Sequence, residues 1–436
     1  MKKTISLLIC ALVCAIGQAQ EQTRYVGGDI SMLPKYEQYN SAYKDAYGNN
    51  ISDLLTWFVT DCGWNTFRVR IFVNPENTDD PAVCQDLAYV TALGKRIKDA
   101  GAYFMLDFHY SDNWVDAGKI AAPKAWKGLS DELMADSLGN YTHRVLQTLK
   151  AAGATPDLVQ VGNEIMYGLC DRKVHPYNAS GDNWNGYLML LRAGCNAVRE
   201  ECPNAQIIIH TDRATNGDYN YYYYKKLKDN QVDYDIIGLS FYPFWHLGMT
   251  PNSNTTKEEA FAPIIAAINR LAQNFPEKRV QIVEMATNFQ WFPTDGVNYN
   301  SEILWPGTVK GQYDFVKDMV DYLKPLANLD GLNYWFPEEA GNGDYGTVMT
   351  GWLNRGFWKE EKSTSGHSIN KTATPNILIP AANVCAPYYM KNFLLGSGEG
   401  IDETREENIR ARKYIQNGQI VIERNGRPYS ADGRSL

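Results

Sequence analysis

From residue 25 to about 397 the chain repeats one pattern eight times: a short run of β-branched and aromatic residues, then a longer stretch with apolar residues three and four apart. No other feature constrains the fold as much, because strands separated by helices return to a common sheet in parallel. The strand candidates are YVGGDIS (25–31), TFRVRIFV (66–73), YFMLDFHY (103–110), DLVQVGNE (157–164), AQIIIHTD (205–212), DIIGLSFY (235–242), RVQIVEMA (279–286) and LDGLNYWF (329–336). Helical periodicity is clearest in DLAYVTALGKRIKDAG (86–101), ADSLGNYTHRVLQTLKAAG (135–153) and TVKGQYDFVKDMVDYLKPL (308–326). Eight such units predict an α/β fold, a closed (β/α)8 TIM barrel over residues 20–397, with long βα loops after the third, seventh and eighth strands.

The flanks read differently. Lys2 and Lys3 precede an apolar run of about 13 residues ending in small side chains, which reads as a signal peptide over residues 1–19. That run is short of the roughly 20 residues a spanning helix needs. Cys10 and Cys14 lack the small preceding residue of a lipidation site. Cleavage would leave an exported protein, periplasmic, secreted or cell-surface, with no transmembrane segment. Residues 398–436 form a charged connector and a short C-terminal tail read as a β-hairpin turning at Asn425 and Gly426.

Loss of Lys2 and Lys3 takes the formal charge from −8 to −10, which argues against nucleic acid and suits a neutral partner such as a sugar polymer. Six cysteines remain (Cys62, Cys84, Cys170, Cys195, Cys202, Cys385), of which some could pair, none at metal-binding spacing. The six histidines are scattered singly, so a metal catalyst is not expected.

In a parallel barrel the catalytic groups sit at the C-terminal strand ends. Here those ends carry Asp29, Arg68, Arg70, His109, Asn163, Glu164, His210, Tyr242, Glu284 and Trp335. Glycoside cleavage needs two carboxyl groups flanking one bond, and Glu164 and Glu284, on the fourth and seventh strands, are the pair that could face each other across the barrel. Arg68 and Tyr242 could donate to Glu284 and keep it ionised while Glu164 holds a proton. Taken alone, Glu164 could equally be a charge at a helix start, His109 a buried structural imidazole and Trp335 barrel core.

Apart from His210, these residues lie in segments that resemble the arabinogalactan endo-1,4-β-galactosidases of glycoside hydrolase family 53, in clan A of barrel hydrolases. The matching segments are GGDISMLPKYE, FRVRIFVNP, DFHYSDNWVDAGK with PKAW, VQVGNEI, SFYPFW, VEMATNF and YWFP, spanning residue 26 to roughly 395. The resemblance implies that Glu164 is the general acid/base and Glu284 the nucleophile. It implies that Arg68, His109, Asp112, Trp114, Asn163, Tyr242 and Trp335 bind substrate, a β-1,4-galactan cleaved internally with retention by a monomer. Another clan A glycanase, a mannanase or xylanase, is the alternative, and a non-enzymatic glycan-binding protein stands behind it. Two departures stand out. Phe336 follows Trp335 where the family has an acid, with Glu338 and Glu339 beyond it. Some bacterial relatives hold calcium in the loop after the seventh strand, but here PTDGVNYNSE offers only Asp295 and Glu302 as acids, few for a hard-oxygen site, and no cofactor is required.

Overall fold

The computed structural model describes residues 23–38, 42–45, 48–75, 80, 82–247, 255–289, 304–341, 355–360, 377–380, 385–396, 412–416, 419–424 and 427–430. Eight parallel strands close into a barrel: β1 (Tyr25–Asp29), β2 (Thr66–Ile71), β3 (Tyr103–Phe108), β4 (Leu158–Val161), β5 (Gln206–Thr211), β6 (Ile236–Phe241), β7 (Arg279–Met285) and β8 (Leu329–Trp335). Each strand pairs with its sequence neighbours, and β8 closes the ring on β1. β4 and β7 therefore stand three places apart, with β5 and β6 between them, rather than directly opposite as the sequence suggested.

An outer helix follows every strand: α1 (Leu54–Thr60), α2 (Leu87–Asp99), α3 (Asp131–Ala151), α4 (Trp184–Glu201), α5 (Gly217–Asp229), α6 (Lys257–Asn274), α7 (Val309–Leu323) and α8 (Cys385–Met390). Seven begin at a side chain that accepts a free N–H of the first turn: Asp53, Asp86, Ser130, Asn183, Asn216, Thr256 and Thr308. Thr256 and Glu259 complete a reciprocal capping box.

Every barrel strand is shorter than its sequence signal at the C-terminal end, and local geometry explains three of these ends. Tyr110, Glu164 and Phe336 adopt left-handed backbone angles just past β3, β4 and β8, which turns the chain out of the ladder. At the other end of the barrel, Gly27 lets β1 approach β2, where a Cβ would lie 1.6 Å from the Thr66 carbonyl oxygen.

The barrel interior is filled in layers. Tyr25, Met105, Leu158, Ile208, Ile236 and Val283 form an apolar cluster. Two residues further along the same faces come Asp107, Gln160 and His210, all fully buried. The switch from apolar to polar marks the floor of the mouth.

Loops after β1 and β8 add a small sheet of Ala42–Tyr43, Ile377–Pro380, Trp358–Glu360 and Ala340–Gly341. In the tail, Arg412–Gln416, Gln419–Arg424 and Arg427–Ser430 form a three-stranded antiparallel meander. The expected hairpin thus gains a third strand, and the Arg424–Arg427 register puts two residues, Asn425 and Gly426, between its expected arms. The signal segment, the connector, and Asp295 and Glu302 lie outside the described residues. Cys62, Cys84, Cys170, Cys195 and Cys202 are free thiols, so the expectation of pairing fails for these five. No helix among the described residues is long and apolar enough to cross a membrane.

Candidate active site

Arg68 organises the mouth. Its guanidinium is 1% exposed and lies 2.7 Å from Asp29, 2.8 Å from Asp107 and 3.0 Å from Glu284, and it donates to the Asn163 amide oxygen at 2.8 Å. Burial alone would lower its pKa, but Asp107, Glu284 and Asp29 more than reverse that. Asp107 is treated the same way in mirror image: burial would raise it, but Arg68 and His109 hold it below the usual carboxylate range. Replacing Arg68 by methionine would take the guanidinium from Asp107 and Glu284 and leave Asp29 only the longer ion-pair contact to Arg70 at 3.4 Å. We expect a stability loss of about 3–5 kcal/mol, read by denaturant unfolding, and a loss below about 1 kcal/mol would show the cluster holds without it.

Glu284 is 6% exposed and receives two donors, Arg68 on one carboxylate oxygen and the Tyr242 hydroxyl at 2.6 Å on the other. A register shift in β7 between Ile282 and Glu284 is a β-bulge, the device that re-aims a side chain at a barrel rim. Glu164 is half-buried and differently served: Ser240 Oγ donates to it at 2.7 Å. Its own backbone is left-handed (φ 45°, ψ 47°), a conformation costing about 1–3 kcal/mol in a residue with a Cβ. Such strain persists only where surrounding bonds hold it.

The two carboxyls therefore differ in proton affinity. Burial pushes Glu164 well above its ordinary pKa, and the charges of Glu284 and Asp212 add to that. Burial also raises Glu284, but Arg68 and Tyr242 act against it. Glu284 gives up its proton first, and Glu164 keeps one to higher pH.

Glu164, Glu284, Arg68, His109, Trp114, Asn163, Tyr242 and Trp335 all line one cleft of about 360 Å³. His109 serves two ends: its Nδ1 accepts from the Val115 amide at 3.0 Å, so its Nε2 proton points to Asp107 at 3.2 Å. Asn163 donates to the Val115 carbonyl at 2.8 Å. Trp114 is fixed by an indole hydrogen bond to Asp80 at 2.7 Å and by Arg70, 4.4 Å from its ring. Trp335 packs edge-on to Tyr242, ring centres 6.3 Å apart.

Asp112 is the exception. Its two oxygens accept from the backbone amides of Asn74 at 3.1 Å and Lys124 at 2.8 Å, so it ties two loops together and is not among the residues lining the cleft. Glu338 and Glu339 are likewise buried anchors: Glu338 accepts from the Met32 amide, and Glu339, which burial pushes up to about 8, accepts from the amides of Arg355 and Gly356.

Several cleft residues were not expected. Asp80, Val115, Asp116, Lys119, Trp245 and Arg355 join Arg70 in completing the lining, with Trp245 59% exposed at the rim. Arg355 lies over three rings, 4.7 Å from Tyr242 and from Phe244 and 5.2 Å from Trp335. Ser240 was legible in principle, two residues before Tyr242 and so on the same strand face. Arg355 lies 20 positions beyond Trp335 in sequence and had no local signal. A wider groove of about 800 Å³ between α2 and α3 lies on the outer surface, away from the paired acids. Among the described residues no group of three or more His, Cys, Asp or Glu is placed to hold a metal ion.

The profile of glycosyl hydrolase family 53 matches residues 25–374. The arabinogalactan endo-beta-1,4-galactanase of Cellvibrio japonicus is 32% identical over 356 residues, 77% of this chain and 87% of that protein. The structure of an Ignisphaera aggregans GH53 catalytic domain superposes with a TM-score of 0.67 at 25% identity, covering 84% of this chain and 95% of that one. A fungal beta-1,4-galactanase structure gives 0.61 at 26% identity over 72% of this chain and 90% of its own. With the barrel, the paired acids and these matches together, the chain belongs to glycosyl hydrolase family 53.

Proposed function

We propose that this glycoside hydrolase is an exported endo-β-1,4-galactanase that cleaves galactan with net retention of configuration. The observation that carries the chemistry is the unequal setting of two carboxyls in one cleft: Glu284 held by Arg68 and Tyr242, Glu164 half-buried with Ser240 as its donor. Glu284, as carboxylate, attacks the anomeric carbon while Glu164 gives its proton to the departing glycosidic oxygen. Glu164, now a base, takes a proton from water as that water displaces Glu284. The Arg68 pair and the Tyr242 hydroxyl stabilise the carboxylate that is released at the end.

The substrate reading draws on the galactanases this chain resembles and on the aromatic lining of the cleft, where Trp114, Trp335 and Trp245 suit the apolar faces of sugar rings. Export draws on the apolar run after Lys2 and Lys3. The test is a panel of soluble galactan, mannan, xylan and cellulose. Galactan viscosity should fall before free galactose accumulates. Preferential cleavage of mannan or xylan would overturn the substrate, and release of galactose alone would overturn internal cleavage.

A further inference from the structure

Glu164 is held at both ends by one pair of residues. Ser240 Oγ donates to Glu164 Oε1 at 2.7 Å, and His210 Nε2 lies 2.8 Å from the same Oγ. A hydroxyl has one proton, and Ser240 gives it to the carboxyl, so the hydrogen on the second contact must come from His210 Nε2. That leaves Nδ1 as an acceptor, and two donors face it: Gln160 Nε2 at 3.1 Å and the backbone amide of Glu164 at 3.3 Å. Asn163 Oδ1, fixed as oxygen by the Arg68 donor, is also 3.1 Å from Nδ1, a contact that becomes a hydrogen bond only if the ring gains a proton. Full burial and the nearby Arg68 charge oppose that proton and keep the imidazole neutral.

We propose that His210 and Ser240 are positioning residues that hold the left-handed backbone of Glu164 and its side chain together, and that place its acid proton on Oε2. With Oε1 occupied as an acceptor, the proton of the acid form sits on the other oxygen, the one left for the leaving group. The Ser240 donor also stabilises the carboxylate form and so limits how far burial raises Glu164. This rests on the acid/base role of Glu164 proposed above.

Ser240→Ala keeps the volume and removes the donor. The alkaline limb of kcat/KM, which reports loss of the Glu164 proton, should move up by about one pH unit. With it, kcat should fall roughly tenfold with KM little changed, because Ser240 touches the acid and not the sugar. The charges acting on Glu164 are Glu284 on β7, Asp212 after β5 and Asp116 after β3, with Tyr242 after β6 beside it; Arg68, Arg70, Asp80, His109, Lys119 and Arg355 share the cleft, and all are retained. Asp212, which burial pushes up to about 6, is present in both proteins, so a difference between their alkaline limbs does not come from its removal.

His210→Phe removes both ring contacts, and combining it with Ser240→Ala should cost no more than His210→Phe alone, because both act through one chain of bonds. Thermal unfolding establishes that each variant is folded; should His210→Phe not fold, Ser240→Ala decides. Azide rescue of Glu164→Gln is read first. Rescue together with an unmoved alkaline limb in Ser240→Ala, or with fully multiplicative losses in the double variant, overturns the clamp and leaves the acid/base assignment standing. Absence of rescue overturns that assignment and the clamp with it.

Discussion

Glu284→Gln should lower kcat on galactan by roughly 10⁴-fold or more while the protein stays folded. The amide keeps the shape of the carboxylate and can still accept from Tyr242, but it cannot supply the negative oxygen that bonds to the anomeric carbon. Folding survives because Arg68 retains Asp29 and Asp107 at 2.7 and 2.8 Å, so its charge is not left unpaired. No covalent glycosyl-enzyme should form with an activated aryl substrate. Added azide, entering the face that Glu284 leaves open, should give the α-configured azide. Activity within about tenfold of the parent would remove Glu284 from the nucleophile role. Proton NMR of the first product from the unaltered enzyme provides the companion measurement: a β-anomer formed first is expected, and an initial α-anomer would recast Glu284 as a base.

Glu164→Gln should separate the two chemical steps. On galactan, whose leaving oxygen needs a proton, kcat should fall by roughly 10³-fold or more. On an aryl glycoside with a good leaving group the first step needs little help, so the glycosyl-enzyme should form and accumulate. The second step then waits for a base that is no longer there. Azide needs no base and should restore turnover, giving a β-glycosyl azide by displacement of Glu284. Intact-mass spectrometry reads the adduct and NMR the azide; a variant that accumulates no adduct and ignores azide would deny Glu164 the acid/base role. The physical ground is the unequal setting of the two acids. Burial and the Glu284 charge keep a proton on Glu164, whereas Arg68 and Tyr242 draw Glu284 towards its carboxylate.

How much of this could be read without coordinates differs from residue to residue. The eight strands were legible because each buries both faces and so reads as a continuous β-branched or aromatic run. Their C-terminal ends were read too long at DFHY, GNE and NYWF, since Tyr110, Glu164 and Phe336 look like strand residues and yet turn left-handed. Asp112 misled for a related reason. It sits beside Trp114 in a polar, aromatic loop, but its oxygens are claimed by amides 38 and 12 residues away, and a loop's closure decides such partners rather than its composition. The tail's third strand was hidden in a charged stretch with little alternation. His210 was noticed as a polar strand end, but its partners Ser240 and Glu164 come from two other strands.

The βα order, the closed barrel, the family and the presence of an acid at the ends of the fourth and seventh strands could be read from the chain alone, because each is carried by local periodicity or by short motifs that need no partner. What surrounds each acid depends on the closed fold. Ser240 reaches Glu164 across 76 positions, Tyr242 reaches Glu284 across 42, and Arg68 binds Asp29 across 39 while meeting Glu284 from three strands away. These contacts exist because the barrel closes and a bulge in β7 turns Glu284 inward. Proton affinity follows distance and burial, neither of which is a property of a residue's neighbours in the chain.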